Sequence, residues 1–434
     1  MTRRTGSADL PLHGGYVPQW LSARMAQLGR VIVEAIALHY GRDEVLRRLA
    51  HPFWFQSFGA VMGMDWHSSG VTTSVIGALK RGLAPIQDEL GIYVCGGKGA
   101  HARRTPLELS QVGERTGLDA DPLTRASRLV AKVDSAAVQD GFDLYLHAFV
   151  VSRDGRWCIV QQGMNASRRE ARRYHWLSEG LESFLDSPHA AIEGRNQGAI
   201  VNLADARAAR NRTAGLDLVA KGPDPVVRFL KRWRDGNTAL DLFAATEPPL
   251  DANAQVPHLQ MPSRHDVRAS DVMLKRLHAV LAAAADRGPK DFAELLLMPG
   301  VGARTVAALA LVAEVVYGAP SRFADPARFS FAHGGKDGHP FPVPLKVYDE
   351  TIRVLKDAVS QAKLGNDERL AAIRRLDKQA RMLERIARGP RYETLISKEW
   401  RASSILGGRM VGSRGDRLLC ATAASSSASS SEAD

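Results

Sequence analysis

The segment 143–163, DLYLHAFVVSRDGRWCIVQQG, sets the strongest limit on what this chain can fold into. Two runs rich in β-formers flank Asp154-Gly155. Asp-Gly in that position signals a tight antiparallel hairpin, because glycine supplies the positive φ that the turn needs. Helical patterns surround the pair. The apolar spacing predicts a helix over 20–40; the aromatic-rich 51–62 and the stretches of about 72–81 and 124–139 also read as helices. GIYVCGGKG (91–99) reads as a short buried strand entering a glycine loop. Asn165 is placed to cap a further helix over ASRREARRYHWLSEG, which ends at a glycine. Residues 1–203 therefore read as one mixed α+β domain.

Beyond it the pattern weakens. Residues 204–264, with KGPDPVVRFLKRWRDGN inside them, read as a connector holding one short helix. A mainly helical domain follows over 265–390. Helical periodicity runs from about 270 to 317, breaks at the loop FAHGGKDGHPFPV, and resumes over 347–363. Asn366 can cap a last helix over 367–388 with an apolar stripe. Residues 391–434 end in TAASSSASSSEAD, a low-complexity tail with too little apolar surface to pack. The fold class expected is α+β.

Of the 434 residues, 58 are Lys or Arg and 47 Asp or Glu, a net charge of +11. A basic excess of that size points to a polyanionic partner, nucleic acid before an anionic membrane surface. The three cysteines, Cys95, Cys158 and Cys420, fit neither a zinc knuckle nor a disulfide framework, so a reducing compartment is expected. MTRRTGSADLPLHGG has no apolar signal-peptide core, and no run approaches the length of a membrane span. The expected setting is cytoplasmic and nucleoid-associated, with no membrane partner.

The stretch LLLMPGVGARTVAALAL (295–311) carries the clearest functional pattern. Pro299 ends one helix, since the residue before a proline avoids the helical region. Gly300 and Gly302 let the chain turn without a Cβ in the way. A second helix then starts near Ala303, and its first amides lack helical acceptors and favour an anion. Arg304 and Thr305 would add a charge and a hydroxyl. The residues Leu296, Pro299, Gly300, Val301, Gly302, Thr305 and Leu309 resemble the helix-hairpin-helix motif (here 285–320) of DNA repair glycosylases, nucleases and ligases. That resemblance implies binding to a nucleic-acid backbone without base reading. The plainer alternative is a packing corner between two helices.

The resemblance also bears on chemistry. The glycosylase branch places a catalytic Asp about 20 residues after the hairpin; here Asp325 stands 23 residues after Gly302. The lyase-type enzymes carry a Lys where this chain has Arg304, which forms no Schiff base at ordinary pH. Asp325 is thus a candidate for stabilising an oxocarbenium-like sugar, or simply the start of an Asp-Pro turn.

Three polar clusters in the first domain add candidates. DWHSSGVTT offers Asp65, His67, Ser68, Ser69 and Thr72 at a helix start, as an anion site or a plain cap. KVDSAAVQDG offers Lys132, Asp134 and Asp140, with Lys132, Ser135 and Gln139 on one helical face; a solvated face is the alternative. In VQQGMN one of Gln161 and Gln162 must point inward, because strand side chains alternate. Asp134 and Asp140 are the candidate ligands of Mg²⁺ or Mn²⁺, with Lys132 and Gln161 completing the residue types of a metal-dependent nuclease. His13, His67 and His175 are candidate proton carriers or ligands of a softer metal. Lys98 and Lys336 sit in two glycine loops able to hold a phosphate. Neither is a Walker sequence, because a following helix start and Ser/Thr are missing.

Taken together, TGSADLPLHGG, HPFWFQSFG, DWHSSGVTT, VCGGKG, KVDSAAVQDG, VQQGMN, RRYHWLSE and RFSFAHGGKDGHPFPV resemble the signatures of an uncharacterised prokaryotic family, domain of unknown function 763. The resemblance runs over about 4–376 and brings no activity with it. The expected function is therefore that of a nucleic-acid-processing protein of DNA repair or recombination. Metal-assisted phosphodiester cleavage is the leading chemistry. A base-excision DNA glycosylase and a non-catalytic DNA-binding or recruitment module are the alternatives.

Overall fold

The computed structural model describes residues 10–11, 19–62, 70–168, 170–234 and 274–327, together with 353–355, 357 and 360. In chain order the elements are β1 (Leu10–Pro11), α1 (Gln19–Tyr40), α2 (Arg42–Ala50), α3 (Pro52–Val61), α4 (Gly70–Leu83), α5 (Gln87–Leu90), β2 (Ile92–Lys98), α6 (Ala100–Thr116) and α7 (Ala120–Lys132). A π-helical turn (Val133–Ala137) leads to β3 (Val138–Gln139), β4 (Asp143–Ser152), β5 (Trp157–Asn165), β6 (Glu170–Leu177), β7 (Ala191–Glu193) and β8 (Ala199–Asn202). Then follow α8 (Ala209–Ala220), α9 (Pro223–Arg234), α10 (Leu274–Arg287), α11 (Phe292–Leu297), α12 (Ala303–Tyr317) and β9 (Arg322–Ala324). The fold is α+β. Among the described residues no helix is long and apolar enough to cross a membrane.

The hairpin forms where the sequence places it. Gly155 has φ +78°, and the Ser152 amide donates to the Arg156 carbonyl at 2.8 Å across the turn. The antiparallel sheet it belongs to runs β1-β6-β5-β4-β2, with β7 also on β6. Alternation sends Ile159 and Trp176 to one face and Cys158 and Val160 to the other. The first face is covered by α6 and α7, with α8–α12 packed onto the same core, and the second by α2–α4, with α1 packed on α4. Both faces are dry, so β4 and β5 read as nearly unbroken apolar runs. Cys95 and Cys158 are both buried and free.

Several expectations change. The stretch expected to be a helix after Asn165 is β6 instead. Asn165 caps only a turn: its Oδ1 accepts from the Ser167 hydroxyl at 2.7 Å and the Arg168 amide at 3.1 Å. The charges of this stretch lie inside, with Arg172 and Arg173 both fully buried. The helix predicted over 124–139 ends at Lys132, and the wider π turn and β3 take its last residues. Within the supposed connector, α8 and α9 are two 12-residue helices, and Leu218, Val226 and Leu230 pack in the core shared with α12.

β2 runs through Gly96 and Gly97 to Lys98, and α6 starts directly after Gly99, so the helix start thought missing there is present. Gly96 is required by packing. Its φ is +83°, and a Cβ would lie 2.2 Å from the His147 carbonyl oxygen. A smaller sheet, β3-β8-β9, ties the end of the π turn to the segment before Asp325. Val354 and Leu355 are helical and buried in the second core. His13, Asp65, His67, Ser68, Ser69, Lys336, the helix capped by Asn366 and the 391–434 tail lie outside the described residues.

Candidate functional site

The corner between α11 and α12 is built from its caps inward. Asp291 caps α11 by accepting the Glu294 amide at 2.7 Å, and Glu294 accepts the Lys290 amide at 2.9 Å in return. Met298 leaves the helix with ψ 141°, as a residue before proline must. The Val301 amide closes a turn onto the Met298 carbonyl at 3.2 Å, and the Val301 side chain plugs into the core.

The two glycines then differ. Gly300 has φ +85°, and a Cβ there would lie 2.9 Å from Val280 Cγ2, so the fold itself demands glycine. Gly302 has φ −149°, a value any residue adopts, and a Cβ would meet nothing within 4 Å. The tight turn thus needs only the first of the pair. Gly302 starts α12 with no side-chain cap. Thr305 is buried beneath the first turn and Arg304 is exposed above it.

The segment after α7 is pinned to this corner. Lys132 Nζ donates to the Val301 carbonyl, and Gln139 Nε2 donates to the Ala303 carbonyl at 2.9 Å. Partial burial lowers the Lys132 pKa.

The same segment turns Asp134 inward, where its exposure falls to 0%. Asp134 Oδ2 accepts from Gln161 Nε2 at 2.5 Å and Trp176 Nε1 at 3.0 Å, and Oδ1 accepts from His189 Nε2 at 2.5 Å. The chain of bonds continues inward. Gln161 Oε1 pairs with His147 Nδ1 at 2.7 Å, and His147 Nε2 with the Ser127 hydroxyl at 2.9 Å. Burial pushes the His147 pKa down, which keeps the ring neutral. Because Gln161 Oε1 accepts, the line fixes the His147 tautomer, with Nδ1 as donor and Nε2 as acceptor for the Ser127 hydroxyl. Its outermost member, His189, has a side chain only 6% exposed.

Asp140 and Asp325 belong to a second cluster, centred on Arg172. Arg172 Nη1 donates to Asp140 at 2.8 Å and to Asp325 at 3.0 Å, while Nη2 donates to Asp325 at 2.6 Å. Asp140 also accepts from the Tyr174 hydroxyl at 2.7 Å and the Phe142 amide at 3.1 Å. Asp325 also accepts the amides of Gln197 at 2.7 Å and Ala327 at 3.0 Å. Burial raises the Asp140 pKa, and the Arg172 guanidinium pulls it back.

These bonds alter the reading of the acids. Asp134, Asp140 and Asp325 serve as acceptors for donors of the chain itself. Among the described residues no group of three His, Cys, Asp or Glu is placed to hold a metal ion. The expected pairing of Asp134 and Asp140 on one Mg²⁺ or Mn²⁺ therefore has no ligand set among the described residues. Gln161 is the glutamine facing the first core, and it binds Asp134. His175 lies on the opposite face, with Nδ1 on the Leu49 carbonyl at 3.2 Å, and burial holds its pKa well below the usual histidine value. Lys98 is exposed with Nζ 5.9 Å from the Tyr145 ring centroid.

Residues that the sequence reading passed over are Ser127, His147, Arg172, Tyr174 and His189. Only RRYHWL held a signal for them, since a strand reading of that stretch would send Arg172 and Tyr174 to one face together.

No curated protein and no solved structure matches the chain. Residues 6–343 match the family described as "Protein of unknown function (DUF763)", a span that ends short of the resemblance read from the motifs but includes both polar clusters and the corner. With most of its length matched, the chain belongs to the DUF763 family.

Proposed function

We propose that this protein binds nucleic acid, DNA first, by taking a backbone phosphate at the α11–α12 corner. Gly302 carries the reading. Neither its backbone angle nor its surroundings require glycine. A phosphate approaching the first amides of α12 does require the space to stay empty, and those amides lack helical acceptors. Exposed Arg304, Lys132 at the Val301 carbonyl and the net charge of +11 supply the positive field. The likeness of residues 296–309 to the helix-hairpin-helix motif favours a role in DNA repair or recombination.

Binding or recruitment is better supported than catalysis. The acids named for cleavage are held by internal donors, and Asp325, the candidate for glycosylase chemistry, has a fully buried side chain locked on Arg172.

The test is fluorescence anisotropy with labelled duplex and single-stranded DNA, run with Mg²⁺, Mn²⁺ and chelator. Wild-type protein binds with strong salt dependence. Gly302→Glu weakens binding about tenfold or more, an effect of at least ~1.4 kcal/mol, at an unchanged melting temperature. Gly300→Glu is unsuitable, because it would strain the fold. Equal binding by Gly302→Glu would reduce the corner to a packing joint. Metal-dependent cuts would restore the nuclease reading, and release of free base the glycosylase one.

A further inference from the structure

The surface arginines of this protein are paired in some places and unpaired among the described residues in others, the unpaired ones including Arg103 and Arg104 on α6 and Arg228 on α9. Around α2 and the sheet edges they are paired: Arg42 with Asp154, Arg47 with Glu179, Arg156 with Asp43. Arg125 and Arg128 on α7, and Arg304 on the first turn of α12, are exposed and make no ion pair among the described residues. Asp121 lies one turn before Arg125 and still forms no bridge to it.

Arg125, Arg128 and Lys132 follow one another at spacings of three and four, which puts them on a single face of α7. The opposite face, with Leu123, Ala126, Leu129 and Val130, is buried. At the rise of an α-helix the three cations span about 10 Å. The line ends at the corner itself, because Lys132 bonds the Val301 carbonyl. Arg304 lies just beyond. Among the described residues no large aromatic is exposed on α7 or at the corner; Tyr40, on α1, is the exposed aromatic.

We propose that α7 is a phosphate track continuing from the corner, and that the track takes one strand of a nucleic-acid duplex by its backbone. This rests on the nucleic-acid reading above. With one phosphate per about 3.4 Å of axis along a strand, 10 Å accommodates roughly three. Single-strand binders add aromatic platforms on which bases stack, and this face offers none. The track has cations and no stacking surface, so duplex is preferred and sequence is not read.

The test uses the full chain and two unrelated short duplexes, plus one of the strands alone, titrated from ~50 to ~200 mM salt. Arg125→Gln with Arg128→Gln is expected to lower the slope of log K against log salt by about 1.8, equally on both duplexes, because each lost phosphate contact removes about 0.9. The melting temperature stays at the wild-type value. Removing two paired charges instead, by Arg42→Gln with Arg156→Gln, leaves the slope unchanged.

The outcomes separate the two readings. An unchanged slope in the α7 variant, with binding still lost in Gly302→Glu, overturns the track and leaves the corner standing. Tighter binding to the single strand, or a preference between the duplexes, overturns the duplex-backbone assignment. No salt-dependent binding by wild type removes the nucleic-acid reading and the track with it.

Discussion

Replacing Arg172 by methionine is expected to lower the free energy of unfolding by about 3–5 kcal/mol, the cost of stranding buried partners of a broken ion pair. The guanidinium is 0% exposed and holds two carboxylates that are themselves buried. Asp140 comes from the loop after β3. Asp325 comes from beyond β9, 153 residues along the chain from Arg172. The cluster thus ties β6 to the loop after β3 and to the segment after β9. Methionine fills much of the volume beneath Phe142, whose ring lies 4.7 Å from the guanidinium carbon, but it leaves both acids without a cation.

Urea unfolding at neutral pH measures the loss. Adding Asp140→Asn and Asp325→Asn should recover a substantial part of it, since removing a whole buried cluster costs less than breaking it. A single Arg172→Met variant within ~1 kcal/mol of wild type, the range of an exposed pair, would show that the cluster does not clamp the fold.

The second large effect is acid lability. His51, His147 and His175 have lowered pKa values, each mainly through burial, and His51 falls to about 4. Between pH 6.5 and about 4 the unfolded chain therefore binds a proton at His51 that the folded chain refuses, and His147 and His175 act in the same direction. The histidine contribution is complete above pH 6.5 and is lost as pH falls through that window.

Glu193 works in the opposite direction. Burial pushes its carboxyl up to about 7, against the pull of Arg173, so from pH 7 down to 4.5 the folded state gains a proton first. Asp140, likewise raised by burial, acts with Glu193 and offsets part of the loss, so the expected net effect is a fall in stability as pH drops from 6.5 towards 4, with His51 contributing up to one proton. Unfolding free energies measured from pH 7.5 to 4.5 should show this fall, and His51→Gln should reduce the slope by up to one proton. Constant stability from pH 7 to 5 would mean that these rings take up protons in the folded state.

Local chemistry made part of this protein legible. Asp154-Gly155 specifies its hairpin because the turn needs one residue at positive φ and glycine supplies it. Pro299 ends α11 wherever it stands, and α1 declares itself by apolar spacing. β6 does not, because periodicity shows only when one face of an element is wet. Both faces of β6 are covered, so no alternation marks it as a strand. Nor could spacing separate Gly300 from Gly302. What distinguishes them is the φ each adopts and the presence of Val280 beside only one of them.

The site residues divide in the same way. Sequence alone was enough to single out Asp134, Asp140, Asp325, Lys132 and the corner, because acids amid apolar stretches and glycines between helices are unusual. Their roles were decided by tertiary structure. A carboxylate is a ligand or an internal acceptor according to which donors reach it, and those donors come from far away: Gln161 27 residues from Asp134, Arg172 153 residues from Asp325. Only folding brings them within hydrogen-bond distance.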